Sequence, residues 1–489
     1  MAQASRLKVP LPVYSVFHKG MGRIFLALFV LLGPVATESV NASCANLGCG
    51  KYRKTNPCQC NFQCSKHKDC CADYKTTCAH PGPSPGPHPG PHPGPSPGSS
   101  CKVNSGPRGG PEQLHLALGS TPDSMSITFA TSKDWKRTPR CSVQGVGTFT
   151  GHSRTYTSGN WDGLIHTVVL QGLQAETSYS YDCGSGPLAF KSPPPVGKLP
   201  VTVAAVADLG EDCDHLGCGN ATIARLGAAA QAGAYSMLLH IGDIAYTKGD
   251  TCIWDNFFRE MENATARVPY MVAVGNHEHY YNFSAYRTRF TMPGMAAVTE
   301  NLWYSFDFGG VHVAAISTEH DLKEQALWLR EDLQKAAANR EAVPWIVVMA
   351  HKPMYCSTDD FYDCKIGSHK IAASIEAILQ ETSVDLYLAG HLHNYERSWP
   401  VFNGTVTAKS YTKPKAPVHV VVGMAGDIEG LTDKWLQSPD WRAVKAAQLG
   451  YASLTFQDRA TMHFSYVLSD SGHVADSFTI TKDVTATVV

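Results

Sequence analysis

Leu238-Leu-His-Ile-Gly-Asp243-Ile-Ala-Tyr246 decides how this chain reads. An apolar run of strand length stops at a glycine, and a carboxylate and a phenol follow at once. The same order of parts recurs in Val203-Ala-Ala-Val-Ala-Asp208-Leu-Gly210, Met271-Val-Ala-Val-Gly-Asn276-His277-Glu278, Ile346-Val-Val-Met-Ala-His351 and Leu386-Tyr-Leu-Ala-Gly-His391-Leu-His393. In open α/β sheets, sites are built at the edge where strands stop. Five strands that deliver Asp, Asp and Tyr, Asn and His, His, and His-x-His to one edge predict a site for two metal ions.

The donor types divide between two ions. Neighbouring cations repel unless an anion is shared, and Asp243, with two oxygens on a central motif, is the natural bridge. His391 and His393 are two residues apart, so on an extended segment their side chains diverge and one can serve each ion. Asn276 and His351 add a neutral oxygen and a nitrogen, a set suited to a divalent ion. Asp208 and Tyr246 add two anionic oxygens, a harder set that favours a trivalent ion such as Fe(III).

Outward from these motifs, apolar strands alternate with helical stretches from Leu199 onward. Helices are predicted over Thr222–Gly233 and Leu322–Asn339, and strands dominate after Ala416. This pattern predicts an α/β sandwich of two mixed sheets with helices outside, over residues 197–482. Residues 106–196 read as β: the runs Gln113–Leu118, Ser124–Phe129, His166–Leu170 and Thr177–Cys183 lie at the spacing of a fibronectin III-like β-sandwich. Cys141 is expected to pair with Cys183 inside it. Cys356 and Cys364 flank a polar loop after the fourth motif, where a disulfide would tether the rim.

At 489 residues, 43% of them apolar, the chain has room for two or three domains. A net charge of −1 provides no basic field for nucleic acid or acidic membrane, and no nucleic-acid motif is present. Residues 1–42 read as a signal-peptide region: Ile24–Leu32 is apolar but too short to span a bilayer, and no later segment qualifies as transmembrane. Sixteen cysteines and sequons at Asn220, Asn263, Asn282 and Asn403 agree with the secretory pathway. Eight cysteines fall in residues 43–79, a segment too small to fold without disulfides. Residues 80–105 hold a Pro-Gly-Pro-Ser/His repeat, an extended spacer.

The motifs together resemble the calcineurin-like metallophosphoesterase superfamily and, within it, the purple acid phosphatases. Asp208-x-Gly210 and Gly242-Asp243-x-x-Tyr246 are the distinguishing variants, and Gly390-His-Leu-His-Asn-Tyr-Glu-Arg397 also matches. The resemblance covers about residues 108 to 480, sandwich included. It implies a four-layer metallophosphoesterase α/β sandwich and hydrolysis of phosphate monoesters by a metal-bound hydroxide. It implies that Asp208, Tyr246 and His393 hold Fe(III), that Asn276, His351 and His391 hold a divalent ion (Zn, Fe or Mn), and that Asp243 bridges. His277 would be catalytic, stabilising charge on the phosphoryl oxygens. Cys58-Gln-Cys60, Cys64, Cys70-Cys71-Ala-Asp73-Tyr74 and Cys78 resemble a somatomedin B domain, which implies a protein or surface partner. The other expectations are a phosphodiesterase or nucleotide hydrolase, and an extracellular adhesion protein with a scaffold phosphatase domain. Plant-type members carry a His pair after the fourth motif; here Ser357-Thr-Asp-Asp-Phe-Tyr-Asp-Cys364 stands there, leaving Asp359, Asp360 and His369 as candidate proton donors.

Overall fold

The computed structural model describes Cys71 and residues 106–211, 219–294, 296–359, 364 and 369–483. The chain divides into two compact units, residues 1–84 and 85–489. In the first, only Cys71 is described; it is buried and disulfide-bonded. The signal region, the spacer and the remaining cysteines of the small module lie outside the described residues, as do Cys101, Cys213 and Cys218.

The larger unit begins with a β-sandwich. Its strands are β1 (Glu112–Leu118), β2 (Met125–Ser132), β3 (Arg140–Val143), β4 (Gly147–Thr150), β5 (His152–Arg154), β6 (Gly163–Leu170), β7 (Ser178–Asp182) and β8 (Leu188–Lys191). They form sheets in the order β1-β2-β6-β5 and β4-β3-β7-β8. Leu114, Ile127, Phe129, Val168 and Tyr181 fill the space between them. Cys141 and Cys183 are joined, as expected, across adjacent strands of one sheet. The four strands read from sequence are present. The short β3, β4, β5 and β8 carry too few apolar residues to stand out.

The α/β body continues with β9 (Val201–Val206), α1 (Asn220–Gln231), β10 (Met237–Ile241), α2 (Ile253–Thr265), β11 (Tyr270–Ala273), β12 (Tyr304–Phe308) and β13 (Val311–Ile316). It proceeds through α3 (Leu322–Ala338), β14 (Trp345–Ala350), β15 (Leu386–Ala389), β16 (Tyr395–Ser398) and the ribbon β17 (Val401–Phe402) with β18 (Thr405–Val406). It ends with β19 (Val418–Val422), β20 (Arg442–Ala446), β21 (Gly450–Phe456), β22 (Thr461–Leu468) and β23 (Val474–Thr481). Two mixed sheets result, β11-β10-β9-β21-β22-β23 and β12-β13-β14-β15-β19-β16-β20.

Strand periodicity sorts the layers. Trp345, Val347 and Met349 of β14 join the core between the sheets, while Ile346, Val348 and Ala350 join a second core under α3. Val313 and Ala315 of β13, and Leu386 and Leu388 of β15, follow the same division. With α1 and α2 covering the first sheet through Leu226, Phe257 and Phe258, the layers run helix, sheet, sheet, helix. Strands buried on both faces read as continuous apolar runs, which is why they announce themselves in the sequence.

The sandwich is locked to the body by buried polar contacts. Glu262 of α2 accepts from the backbone N–H groups of Gln113 and Leu114, at 2.7 and 3.2 Å. Arg289, almost wholly buried, donates to Asp255 of α2, to Tyr156 and to Gln113.

Candidate active site

β9, β10, β11, β14 and β15 run parallel to their sheet neighbours among this set, so their carboxyl ends point one way within each sheet. Asp208, Asp243, Asn276, His351 and His391 each stand two or three residues, or fewer, past a strand end. Asp208, Asp243, Tyr246 and His391 have φ of 58°, 51°, 49° and 71°. Left-handed backbone at non-glycine residues costs on the order of 1–3 kcal/mol each and persists only where neighbours enforce it. One enforcer is Glu278, buried, whose carboxylate accepts from the N–H groups of Asp243, Ile244 and Gly275 at 2.8–2.9 Å. It clamps the ends of β10 and β11 together.

The side chains converge in two groups. In one, His351 Nε2 lies 2.9 Å from Asp243 Oδ2 and 3.1 Å from Asn276 Oδ1, and ligand atoms of Asp243, His351 and His391 lie within 4.8 Å of one another. In the other, the Tyr246 hydroxyl donates to Asp208 Oδ1 at 3.1 Å and lies 3.0 Å from His393 Nε2. His351 and His393 present Nε2 because Nδ1 is engaged, by the Ile241 carbonyl and the Gly430 carbonyl respectively. That outer hydrogen bond is how metal-binding imidazoles are oriented.

Small residues make room for this convergence. A Cβ at Gly275 would stand 2.3 Å from Asp243 Oδ1, and one at Gly390 or Gly423 would stand 2.6 or 2.7 Å from Asp208 Oδ2. The donors are therefore packed against backbone that only glycine supplies.

Burial dominates the electrostatics. It pushes the Asp208 carboxyl up to about 7, against the pull of His351 and His393, and the Glu278 carboxyl up to about 8, helped by Asp243. Burial, then Asp208, raises the Tyr246 phenol well above its usual value. Burial opposes the Asp243 charge too, but His351 and His277 beside it hold its carboxyl well below the usual range. Buried carboxylates gathered with imidazoles and a phenol are a donor set that a cation would stabilise.

His277 follows Asn276 in a single 3₁₀ turn, Asn276–His279. Its ring lies 4.2 Å from the Tyr246 ring, and its Nε2 is 3.9 Å from Asp243 Oδ2 and 3.7 Å from Glu429 Oε2. Its buried Nδ1 has no hydrogen-bond partner among the described residues.

Family comparisons agree with this geometry. The calcineurin-like phosphoesterase model matches residues 201–395, the purple acid phosphatase N-terminal domain residues 111–193, and the iron/zinc purple acid phosphatase-like protein C model residues 416–477. A somatomedin B domain model matches residues 42–81. Acid phosphatase type 7 of Homo sapiens is 34% identical over 411 residues, which span 77% of this chain and 92% of that protein. The chain belongs to the purple acid phosphatase family. Purple acid phosphatase 22 of Arabidopsis thaliana is 30% identical across 74% of the chain and 83% of its own length. The solved purple acid phosphatase from yellow lupin seeds superposes with a TM-score of 0.70 at 26% identity, covering 77% of this chain and 75% of that one.

The phosphatase thus joins an enzyme family built on binuclear metal centres, and its own donors fit such a centre. Three participants escaped the sequence reading. Asp427, Glu429 and Gly430 follow β19, and ligand atoms of His393, Asp427 and Glu429 lie within 4.8 Å of one another. Val418–Val422 has the same apolar run and turn as the five motifs, but four residues separate its end from Asp427. Glu278 closes the third motif, and its role is to bind backbone. Of the expected proton donors, Asp359 is exposed and its N–H donates to the Lys434 carbonyl at 2.8 Å. Asp360 and the His369 side chain lie outside the described residues. The Cys356–Cys364 disulfide is present.

Proposed function

We propose that this phosphatase is a secreted enzyme that hydrolyses phosphate monoesters at an Fe(III)–divalent centre. Asp208, Tyr246 and His393 hold the trivalent ion, Asn276, His351 and His391 hold the divalent one (Zn, Fe or Mn), and Asp243 bridges. The contact of the Tyr246 hydroxyl with both Asp208 and His393 carries the reading, because a phenol between a carboxylate and an imidazole is a donor set for a hard cation. Bound metals supply a nucleophile from water near or below neutral pH and neutralise phosphoryl charge.

The chain's own residues do the positioning. Asp208, through both oxygens, fixes the Tyr246 hydroxyl and the His391 N–H. The Asp243 Oδ1 accepts from the His277 N–H at 2.7 Å, which turns His277 over the donors. In this reading its imidazole binds a phosphoryl oxygen and stabilises the charge that develops on it.

Secretion is supported by the disulfides, the somatomedin B match and the exposure of all four sequon asparagines. The somatomedin B-like module is assigned a protein or surface partner. Hydrolysis of p-nitrophenyl phosphate and of its bis-ester across pH tests the reading. Faster monoester turnover with an acidic optimum is expected. Faster diester turnover would assign the enzyme to phosphodiesterases, and a protein with both metals bound but inactive on either would be a scaffold.

A further inference from the structure

His393 is clasped by one loop, Asp427–Thr432, on three sides. The Gly430 carbonyl accepts from its Nδ1 at 2.8 Å, its backbone N–H donates to Thr432 Oγ1 at 2.9 Å, and its carbonyl accepts from the Thr432 N–H at 2.9 Å. Those contacts already fix the ring. Asp427 adds something different. Its Oδ2 lies 3.2 Å from His393 Nδ1, yet that oxygen is buried and has no hydrogen-bond partner among the described residues. The residue is 2% exposed. Its other oxygen accepts from the Glu429 N–H at 2.6 Å, which fixes the carboxylate's direction. Gly210, two residues past Asp208, lets it approach: a Cβ there would stand 3.3 Å from Asp427 Cα and Cβ.

A buried carboxylate oxygen left without a hydrogen bond is costly, and it is tolerated when a cation faces it. No Lys or Arg side chain contacts Asp427 among the described residues; the group it faces is the outer edge of a metal-binding imidazole. Carboxylates beside the outer nitrogen raise the basicity of a metal-binding imidazole, and here the negative charge acts at 3.2 Å alongside the Gly430 hydrogen bond.

We propose that Asp427 is a positioning residue that acts through His393, with its charge favouring Fe(III) over Fe(II) at the Asp208–Tyr246–His393 ion. This rests on the assignment of those three side chains to a trivalent ion. The orientation of His393 is supplied by Gly430 and Thr432; the contribution of Asp427 is charge. Loss of that charge makes the iron a stronger electron acceptor. Two consequences follow: easier reduction to Fe(II), and a lower energy for light-driven electron transfer from Tyr246 to the metal.

The test compares iron-loaded, oxidised wild type, Asp427→Asn and Glu429→Gln by elemental analysis, visible absorption and redox titration, with circular dichroism to verify folding. Asparagine keeps the shape and removes the charge. In Asp427→Asn the visible band is expected to move to longer wavelength and the reduction midpoint to become more positive. Glu429 is exposed and does not carry the 3.2 Å contact, so its substitution is expected to move both less. Selective loss of iron from folded Asp427→Asn, with the divalent ion kept, would also support the assignment. An iron-loaded Asp427→Asn with unchanged band and midpoint overturns it, as does an equal shift in Glu429→Gln or loss of both ions. A wild type that is iron-loaded but colourless would instead sink the Tyr246 assignment beneath it. Should Asp427→Asn fail to fold, Asp427→Glu keeps the charge, and it must hold the midpoint nearer to wild type than Asp427→Ala does.

Discussion

Removing the Asp255 carboxylate should destabilise the joint between sandwich and body more than any surface change. Arg289 is buried to 1% side-chain exposure, and Asp255, at 0%, is its anionic partner at 2.6 Å. Tyr156 and Gln113 supply neutral acceptors at 2.8 and 3.0 Å, and the Trp161 ring lies 4.8 Å beneath the guanidinium. Trp161 Nε1 also donates to Asp255 Oδ2 at 2.8 Å. Asp255→Ala therefore strands a buried cation and one indole donor. Breaking a buried pair from one side costs about 3–5 kcal/mol. Unfolding entropy near 2.1 cal/mol/K per residue over roughly 380 residues gives about 1.3 °C per kcal/mol, so Tm should fall by about 4–6 °C. Scanning calorimetry on metal-saturated proteins measures this with ligand stabilisation held constant. The double variant Asp255→Leu/Arg289→Met should recover much of the loss, because it removes the stranded charge. A single-variant drop below about 1 °C, or a double variant worse than the single, would refute the reasoning.

His277→Ala should retain both metals and lose mainly kcat, by about 10²-fold or more, as expected when a group that stabilises transition-state charge is removed; metal loss by elemental analysis would make it a ligand or a structural residue. Glu278→Ala leaves the N–H groups of Asp243, Ile244 and Gly275 without their buried acceptor, and should lower metal affinity and cost about 3 kcal/mol or more of stability; an unchanged metal titration would show that the clamp is dispensable. His312 bonds Asp307 and Asp332 at 2.7 and 2.9 Å, and these carboxylates outweigh burial to raise its pKa from 6.5 to about 9. A raised folded-state pKa stabilises fully below about 6.5 and loses that contribution as pH climbs toward 9. His312→Gln should therefore cost up to about 3 kcal/mol at pH 6 and far less at pH 9, and a gap in stability constant across that window would contradict the assignment.

The parts legible in the sequence are those where chemistry sits next to a pattern. β10, β11, β14 and β15 are buried along their whole length and β9 at all but Thr202, so each reads as an apolar run, and each donor follows its strand closely. Asp427 was not legible because a turn separates it from β19 and its partner His393 lies in the loop between β15 and β16. Glu278 acts on backbone N–H groups, which no residue type advertises. Arg289 and Asp255 are 34 residues apart in the body and meet only in the folded structure. β13 is as buried as β14, but no metal donor follows its end closely, so its run carries no motif. Edge strands such as β20 and β23 are only partly buried, and their sequences alternate weakly.

The central claim is that five strand ends assemble one binuclear centre around Asp243. Elemental analysis of the purified wild type and of Asp243→Ala tests it most directly. Two metal ions per chain, at least one of them iron, are predicted for the wild type, with both lost from a folded Asp243→Ala. A wild type that binds one ion at saturation, or an Asp243→Ala that keeps two, would contradict it.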